Sequence, residues 1–243
     1  MENTFNIITL GCKVNQYESE AVEELFLQKG YKKQASDADI YVINTCTVTN
    51  MSDRKSRQMI SRARRDNPDA VIAVMGCYSQ VKPEEVSAVD GVDIVLGSRN
   101  KESVVDLCED IMQNKSVRDK IIAPSETKSF EELQISNQTE MTRAYLKIQD
   151  GCNMYCSYCL IPYARGNIVS RDIESIVEET KRLAANGFKE IVLTGIHVSS
   201  FGKDFDEDSS LIDAIEAVAK VDGIERIRLS SMEPVSYTHL TLP

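Results

Sequence analysis

The chain has 243 residues, 42% of them hydrophobic, with 11 glycines and 6 prolines, which excludes a disordered, collagenous or low-complexity protein. With 28 lysines and arginines against 38 aspartates and glutamates the net charge is −10, so any nucleic-acid contact must be local rather than spread over a broad basic surface. The opening MENTFNIITLG carries an acid and only a short apolar run, and no stretch approaches the ~20 apolar residues of a membrane span, so the expectation is a cytoplasmic chain of one or two domains with no membrane partner.

FNIITL reads as a strand, followed by a helix over 18–29 whose Val22, Leu25 and Phe26 share a stripe and which Gly30 stops. DIYVIN reads as a strand, 53–66 as a helix, AVIAVM and DIVLG as strands, and 102–113 as a closing helix. This alternation predicts an α/β domain over 1–113, an open parallel sheet covered on both faces. The polar, mostly aperiodic 114–141 reads as a linker. A second β/α series occupies 142–234. RAYLKIQ is a strand, 171–186 a helix with Ile173, Ile176, Val177 and Leu183 inward and Gly187 as its stop, and KEIVLTG a strand. Residues 209–221 form a helix with Leu211, Ile215 and Val218 aligned, and ERIRLSS is the third strand. Three strands and two helices are too few to close a barrel, so the expectation is the first part of one. The ending VSYTHLTLP, 235–243, supplies neither a cap nor an amphipathic helix; it reads as an atypical tail after a truncation, or as a disordered terminus.

Seven cysteines, an odd number, make a complete disulfide framework an unfavourable reading and bring metal or redox chemistry forward. In CNMYCSYC, Cys152, Cys156 and Cys159 follow a strand with the spacing CxxxCxxC. Three thiolates on one short loop can hold three corners of a cubane iron–sulfur cluster, leaving one iron open to a ligand. The alternative is a structural zinc site, which wants four protein ligands; Cys108, His197 and His239 complete no compact knuckle. A second trio is dispersed: Cys12 follows FNIITL, Cys46 follows DIYVIN and Cys77 follows AVIAVM. In an open parallel sheet the loops at the carboxyl ends of the strands converge, and ligands bind there. The alternative is three ordinary buried cysteines. Cys108 shares a helical face with Val104 and Ile111 and reads as core. The helix DRKSRQMISRARRD places Arg54, Lys55, Arg57, Arg62, Arg64 and Arg65 on about half its circumference, opposite Met59, Ile60 and Ala63. That arc can hold nucleic-acid phosphates or be no more than a solvated face.

LGCKVNQYESE, NTCTVTN, MGCY and GCNMYCSYCLIPYARG together resemble the methylthiotransferase branch of the radical S-adenosylmethionine enzymes, over about residues 4–234. The resemblance implies a radical-generating 4Fe-4S cluster on Cys152, Cys156 and Cys159, with S-adenosylmethionine at its open iron, and an auxiliary 4Fe-4S cluster on Cys12, Cys46 and Cys77. It implies cofactor contacts at Tyr158, the aromatic residue before the last cysteine, and at Gly195 in LTGIH, which departs from the family pattern by lacking the paired glycines and glutamate. Arg165 in PYARG is a further candidate for a cofactor or phosphate contact. LGCKVNQYESE, CTVTN and LTGIHVSSFG resemble the type that thiomethylates N6-threonylcarbamoyladenosine at C2 in tRNA, next to the anticodon. The isopentenyladenosine type reads closer to GCQMN and LGQNVNSYG, and the type acting on a ribosomal-protein aspartate closer to LGCPKN. The implied partners are tRNA and an electron donor such as flavodoxin or ferredoxin. A rival from another class is a two-cluster electron carrier. A third reading is an inactive fragment, since family members continue through the rest of the barrel into a small β domain.

Overall fold

The computed structural model describes residues 3–47, 49–113, 129–135, 143–206, 209–230 and 232. The expected linker lies largely, and the tail at 235–243 wholly, outside the described residues. Packing divides the described chain into two compact units: that of 1–127 together with Cys156–Arg165, and that of 128–155 together with 166–243.

The elements run β1 (Thr4–Thr9), α1 (Lys13–Gln28), β2 (Lys32–Lys33), β3 (Ile40–Thr45), α2 (Asn50–Asp66), β4 (Val71–Gly76), α3 (Cys77–Val81), α4 (Pro83–Ser87), β5 (Ile94–Val95) and α5 (Val104–Met112). They continue with β6 (Ala144–Lys147), β7 (Gln149–Asp150), α6 (Ile161–Arg165), β8 (Val169–Ser170), α7 (Ile173–Ala185), β9 (Glu190–Thr194), α8 (Leu211–Ala219) and β10 (Arg226–Leu229).

The first unit is built on a parallel sheet of order β2-β1-β3-β4-β5. Every residue of β3 and β4 is buried, because helices cover both faces and a strand so enclosed can be apolar throughout. The two-residue alternation of a strand sorts those side chains. Ile40, Val42, Ala73 and Met75 meet Val22 and Phe26 of α1 and Val104, Leu107 and Cys108 of α5 in one core. Tyr41, Ile43, Ile72 and Val74 meet Ile60 and Ala63 of α2 with Tyr78 and Val86 in the other. From β1 the chain crosses outward to β2, and from β3 it proceeds the opposite way to β4. The order therefore reverses between β1 and β3, which is where such sheets open a crevice at their carboxyl ends.

The helix expected over 18–29 begins at Lys13. Val14, Tyr17 and Ala21 extend the buried stripe toward the amino end, but Asn15, Glu18 and Ser19 are buried beside them and mask the apolar periodicity. The short α3 and α4 have no counterpart in the sequence pattern; at five residues each they are too brief to show a helical period.

The second unit holds a parallel sheet of order β10-β9-β6. Leu146, Ile191 and Leu193 pack with Ile176 and Leu183 of α7 and Ala214 and Val218 of α8. Ser210 and Asp213 form a capping box that starts α8. β7 and β8 make a two-residue antiparallel ladder, Gln149 opposite Ser170 and Asp150 opposite Val169. Buried charges in this unit are paired, Lys147 with Asp150 at 2.7 Å and Arg171 with Glu179 at 2.6 Å. Among the described residues no helix is long and apolar enough to cross a membrane.

Candidate metal centres

Three cysteines stand at the carboxyl ends of neighbouring strands in the first unit. Cys12 is the N-cap of α1, Cys46 follows the last residue of β3, and Cys77 opens α3 directly after β4. Cys46 and Cys77 are buried and Cys12 is exposed. Two glycines allow the loops to close on one another. Gly11 has φ +109°, and a Cβ there would stand 2.8 Å from the Cys46 Cβ and 3.1 Å from its Sγ. Gly76 has φ +105°, and a Cβ there would meet the Asn44 Oδ1 and the Thr45 carbonyl oxygen, each at 2.6 Å. Burial pushes the Cys77 thiol up to about 11; Arg165 pulls it the other way, while Glu18, Cys12 and Cys46 add to the rise. Cys77 thus lies within electrostatic reach of both other thiols.

A buried polar network fixes these loops from beneath. Asn15 donates through Nδ2 to the carbonyls of Leu10 and Thr45, each at 2.9 Å. Asn44 donates to the Asn15 carbonyl at 2.9 Å and to Ser19 Oγ at 3.0 Å, and Thr45 Oγ1 donates to the Met75 carbonyl at 2.7 Å. Asn15 Oδ1 accepts from Arg165 Nη2 at 2.7 Å and from the Cys12 thiol at 3.6 Å. Arg165, fully buried, also donates to Glu18 at 2.9 and 3.2 Å, and Lys101 lies 3.3 Å from the same carboxylate. Asn15, Glu18 and Lys101 escape a reading of the sequence; for Asn15 and Glu18 the available signal is polar residues at inward positions of α1, and Lys101, in the turn before α5, offers none.

The second trio lies between β7 and β8. Gly151 has φ +71°, and a Cβ there would stand 1.9 Å from the Asn167 carbonyl oxygen, so only glycine fits. The Cys152 amide donates to the Gly166 carbonyl at 3.0 Å and the Ile168 amide to Asn153 Oδ1 at 3.0 Å. The Cys159 amide donates to the Cys156 carbonyl at 2.9 Å, a turn that sets those two cysteines. Cys152 packs with the second unit, Cys156 and Cys159 with the first. Cys156 is exposed and Cys152 and Cys159 half-buried; Tyr158 is 90% exposed. Gly195 follows β9, where a Cβ would meet Gln149 Oε1 at 2.8 Å. Gln149 accepts the His197 amide at 2.8 Å and donates to the carbonyls of Asp150 and Gly151 at 2.7 Å, tying the end of β9 to the start of the cysteine segment. The His197 ring nitrogens are taken by Ser199 and Ser200, and His239 lies outside the described residues.

Among the described residues no three His, Cys, Asp or Glu side chains are gathered tightly enough to close on one metal ion. A cubane spreads its cysteines over separate iron corners, a wider arrangement, and thiolates are the soft ligands it takes. Cys12, Cys46, Cys77 and Cys152 stand just after strand ends, and Cys156 and Cys159 lie on the loop that leads from β7 to α6; all six are thiols on loops or helix starts, the donor chemistry such a group takes. The seventh, Cys108, is enclosed in the core, with burial driving its thiol far up from its ordinary value.

On α2 the apolar arc packs, with Ile60 and Ala63 buried, and Arg54, Lys55, Arg62 and Arg65 lie toward solvent. The other two cations are engaged. Arg57 donates to Tyr78 and Glu85, each at 2.6 Å. Arg64 donates to the carbonyls of Pro68, Ala70 and Gly91 and to Asp93 at 2.6–2.9 Å. Arg54, Arg57, Gln58, Ser61 and Arg65 line a shallow recess of about 320 Å³.

Residues 4–97 match the Uncharacterized protein family UPF0004, and residues 146–240 the Radical SAM superfamily. The chain is 45% identical over 232 residues to the threonylcarbamoyladenosine tRNA methylthiotransferase of Bacillus subtilis, covering 95% of this chain and 51% of that one. It is 42% identical to the enzyme of the same name from Aquifex aeolicus, covering 92% and 55%. It is 37% identical to the tRNA-2-methylthio-N(6)-dimethylallyladenosine synthase of Natranaerobius thermophilus, covering 96% and 53%. The chain spans about half the length of these relatives. In structure it resembles the radical S-adenosylmethionine methyltransferase TsrM of Kitasatospora setae, with TM-score 0.60 at 13% identity, covering 97% of this chain and 62% of that one, a likeness of fold. An iron–sulfur cluster and S-adenosylmethionine are the cofactors of a Radical SAM domain. The chain thus carries a UPF0004 domain followed by a Radical SAM domain, and across nearly its whole length it is similar to proteins named as tRNA methylthiotransferases.

Proposed function

We propose that this chain serves a cytoplasmic enzyme that adds a methylthio group to C2 of N6-threonylcarbamoyladenosine in tRNA, next to the anticodon. The observation that carries the reading is the pairing of two thiol trios, one at the ends of β1, β3 and β4 and one between β7 and β8. When bound, a 4Fe-4S cluster on Cys152, Cys156 and Cys159 with S-adenosylmethionine supplies the radical, and a second on Cys12, Cys46 and Cys77 supplies sulfur. The chain's own residues position and exclude water. Gly11 and Gly76 let the first three loops close, and buried Cys46 and Cys77 keep solvent from the sheet side of that site, leaving access at exposed Cys12. Tyr158 stands open to a cofactor on the second segment. Arg54, Lys55, Arg62 and Arg65 hold tRNA phosphates, a local patch on an acidic chain. An electron donor such as flavodoxin or ferredoxin supplies the reducing equivalent.

Relatives at 45% and 42% identity carry the threonylcarbamoyladenosine name, and the match at 37% to a dimethylallyladenosine synthase supports that nucleoside as the second reading. Expressing the gene in a host that lacks both modifications, then analysing its tRNA nucleosides by mass spectrometry, tests the choice. Methylthio-threonylcarbamoyladenosine is the expected product; methylthio-isopentenyladenosine alone overturns it.

A further inference from the structure

We infer that Arg165 is a positioning residue of the Cys12, Cys46 and Cys77 site, acting through Asn15 and Glu18, and not a contact for cofactor or phosphate. The inference rests on the reading that those three thiols hold a cluster.

Arg165 follows Cys159 by six residues in sequence and packs in the first unit with Cys156 and Cys159. It has no exposed surface, so a phosphate or a nucleoside cannot reach its guanidinium without opening the fold. Its fork spans two residues of α1: Nη2 reaches Asn15 Oδ1 at 2.7 Å and Nη1 reaches Glu18 Oε1 at 2.9 Å. Asn15 is the hub of the thiol loops. Its amide group holds the carbonyls of Leu10 and Thr45, which lie two residues before Cys12 and one before Cys46. Its Oδ1 also faces the Cys12 thiol. By accepting from Arg165, that oxygen fixes the amide with Nδ2 turned toward the two carbonyls, the orientation that locks the loops. The backbone around Arg165 is itself anchored in the same unit. Ser98 Oγ donates to the Ala164 carbonyl at 2.5 Å, and Arg99 Nη2 to the Arg165 carbonyl at 3.0 Å. Planar two-point bridging of this kind needs arginine, because lysine offers a single centre on a flexible stem.

The test uses the whole chain, reconstituted anaerobically with iron and sulfide, comparing wild type with Arg165→Met and Arg165→Lys. The readouts are iron per chain, the spectrum and midpoint potential of each cluster, and the affinity for S-adenosylmethionine. Arg165→Met is expected to drop iron from about eight to about four per chain, or to retain it with a more negative potential at the Cys12 site. S-adenosylmethionine affinity should stay within about threefold. Arg165→Lys is expected to be intermediate in iron, and where Arg165→Met gives no folded protein it carries the comparison. Asn15→Asp, which keeps the oxygen facing Arg165 but loses the donor to Leu10 and Thr45, is expected to show the same selective loss. Full iron and an unchanged potential, with affinity for S-adenosylmethionine weakened about tenfold or more, would overturn the inference and make Arg165 a direct contact. Wild type holding only about four irons, unaffected by replacing Cys12, Cys46 and Cys77 with alanine, would instead sink the two-cluster reading beneath it.

Discussion

Gly11 is the residue on which the first thiol site turns. Its φ of +109° and the 2.8 Å that would separate an added Cβ from that of Cys46 act together. Strained backbone of this kind costs a non-glycine residue about 1–3 kcal/mol, and the steric conflict falls on a proposed metal ligand itself. Gly11→Ala should therefore lower the melting temperature and lose iron at the first site, measured by calorimetry and iron analysis on one preparation. Cys108→Ala is the matching control. Its sulfur lies in the core with Phe26 and Val104, so its removal should cost about 1 kcal/mol for the cavity left behind and no iron at all. The contrast shows what a sequence discloses at this scale. Cys12, Cys46 and Cys77 are legible because each stands just after an apolar strand, and Cys108 because it falls on a helical stripe. Asn15 and Glu18 are not, since a polar residue on an inward helical face has no meaning until its partners, Leu10, Thr45 and Arg165, are brought from elsewhere in the chain.

At the scale of elements α2 shows how one helix divides its charges. Thr49 caps it, accepting from the Ser52 amide, and Thr49→Ala should cost about 1 kcal/mol. Arg64 satisfies three carbonyls beyond the helix end, so its loss should destabilise the first unit, read as a lower denaturation midpoint. Arg54, Lys55 and Arg65 are exposed. Reversing them together should leave the melting temperature nearly unchanged and weaken tRNA binding for all sequences alike. The slope of log affinity against log salt should fall by about 0.7–0.9 for each phosphate no longer neutralised. If affinity and slope are unchanged, this face is only solvated. The basic arc is legible from helical period alone, because 100° per residue is fixed by geometry. Which of its cations are committed is not legible, because Glu85 and Asp93 come from later in the chain. α1 illustrates the opposite limit: its first turn is hidden from a pattern reading because site chemistry replaces the apolar period there.

For the whole molecule, the alternation of strands and helices announces two α/β regions, and both parallel sheets are present. The division of the chain between them is less visible. Sequence order suggests a cut through 114–141, yet Cys156–Arg165 packs with the first unit. Hydrogen bonds run there from Ser98 and Arg99 to the backbone at Ala164 and Arg165, and Arg165 forms a buried pair with Glu18, none of which a local pattern reveals. It has a consequence for dissection. A chain of residues 128–243 keeps the core of Leu146, Ile176, Leu193 and Val218 but removes the partners with which Cys156–Arg165 packs. It should keep helical circular dichroism while failing to assemble a cluster on CxxxCxxC, although all three of those cysteines are present. Replacing Cys12, Cys46 and Cys77 with alanine in the whole chain should do the reverse, removing about four irons and leaving about four on Cys152, Cys156 and Cys159, with reductive cleavage of S-adenosylmethionine retained. Iron analysis and product chromatography on the two proteins separate the outcomes. A truncated chain that bound about four irons and cleaved the cofactor would show that the packing of Cys156–Arg165 in the first unit contributes nothing to the second thiol site. An intact chain that left the cofactor whole when reduced would favour an electron carrier.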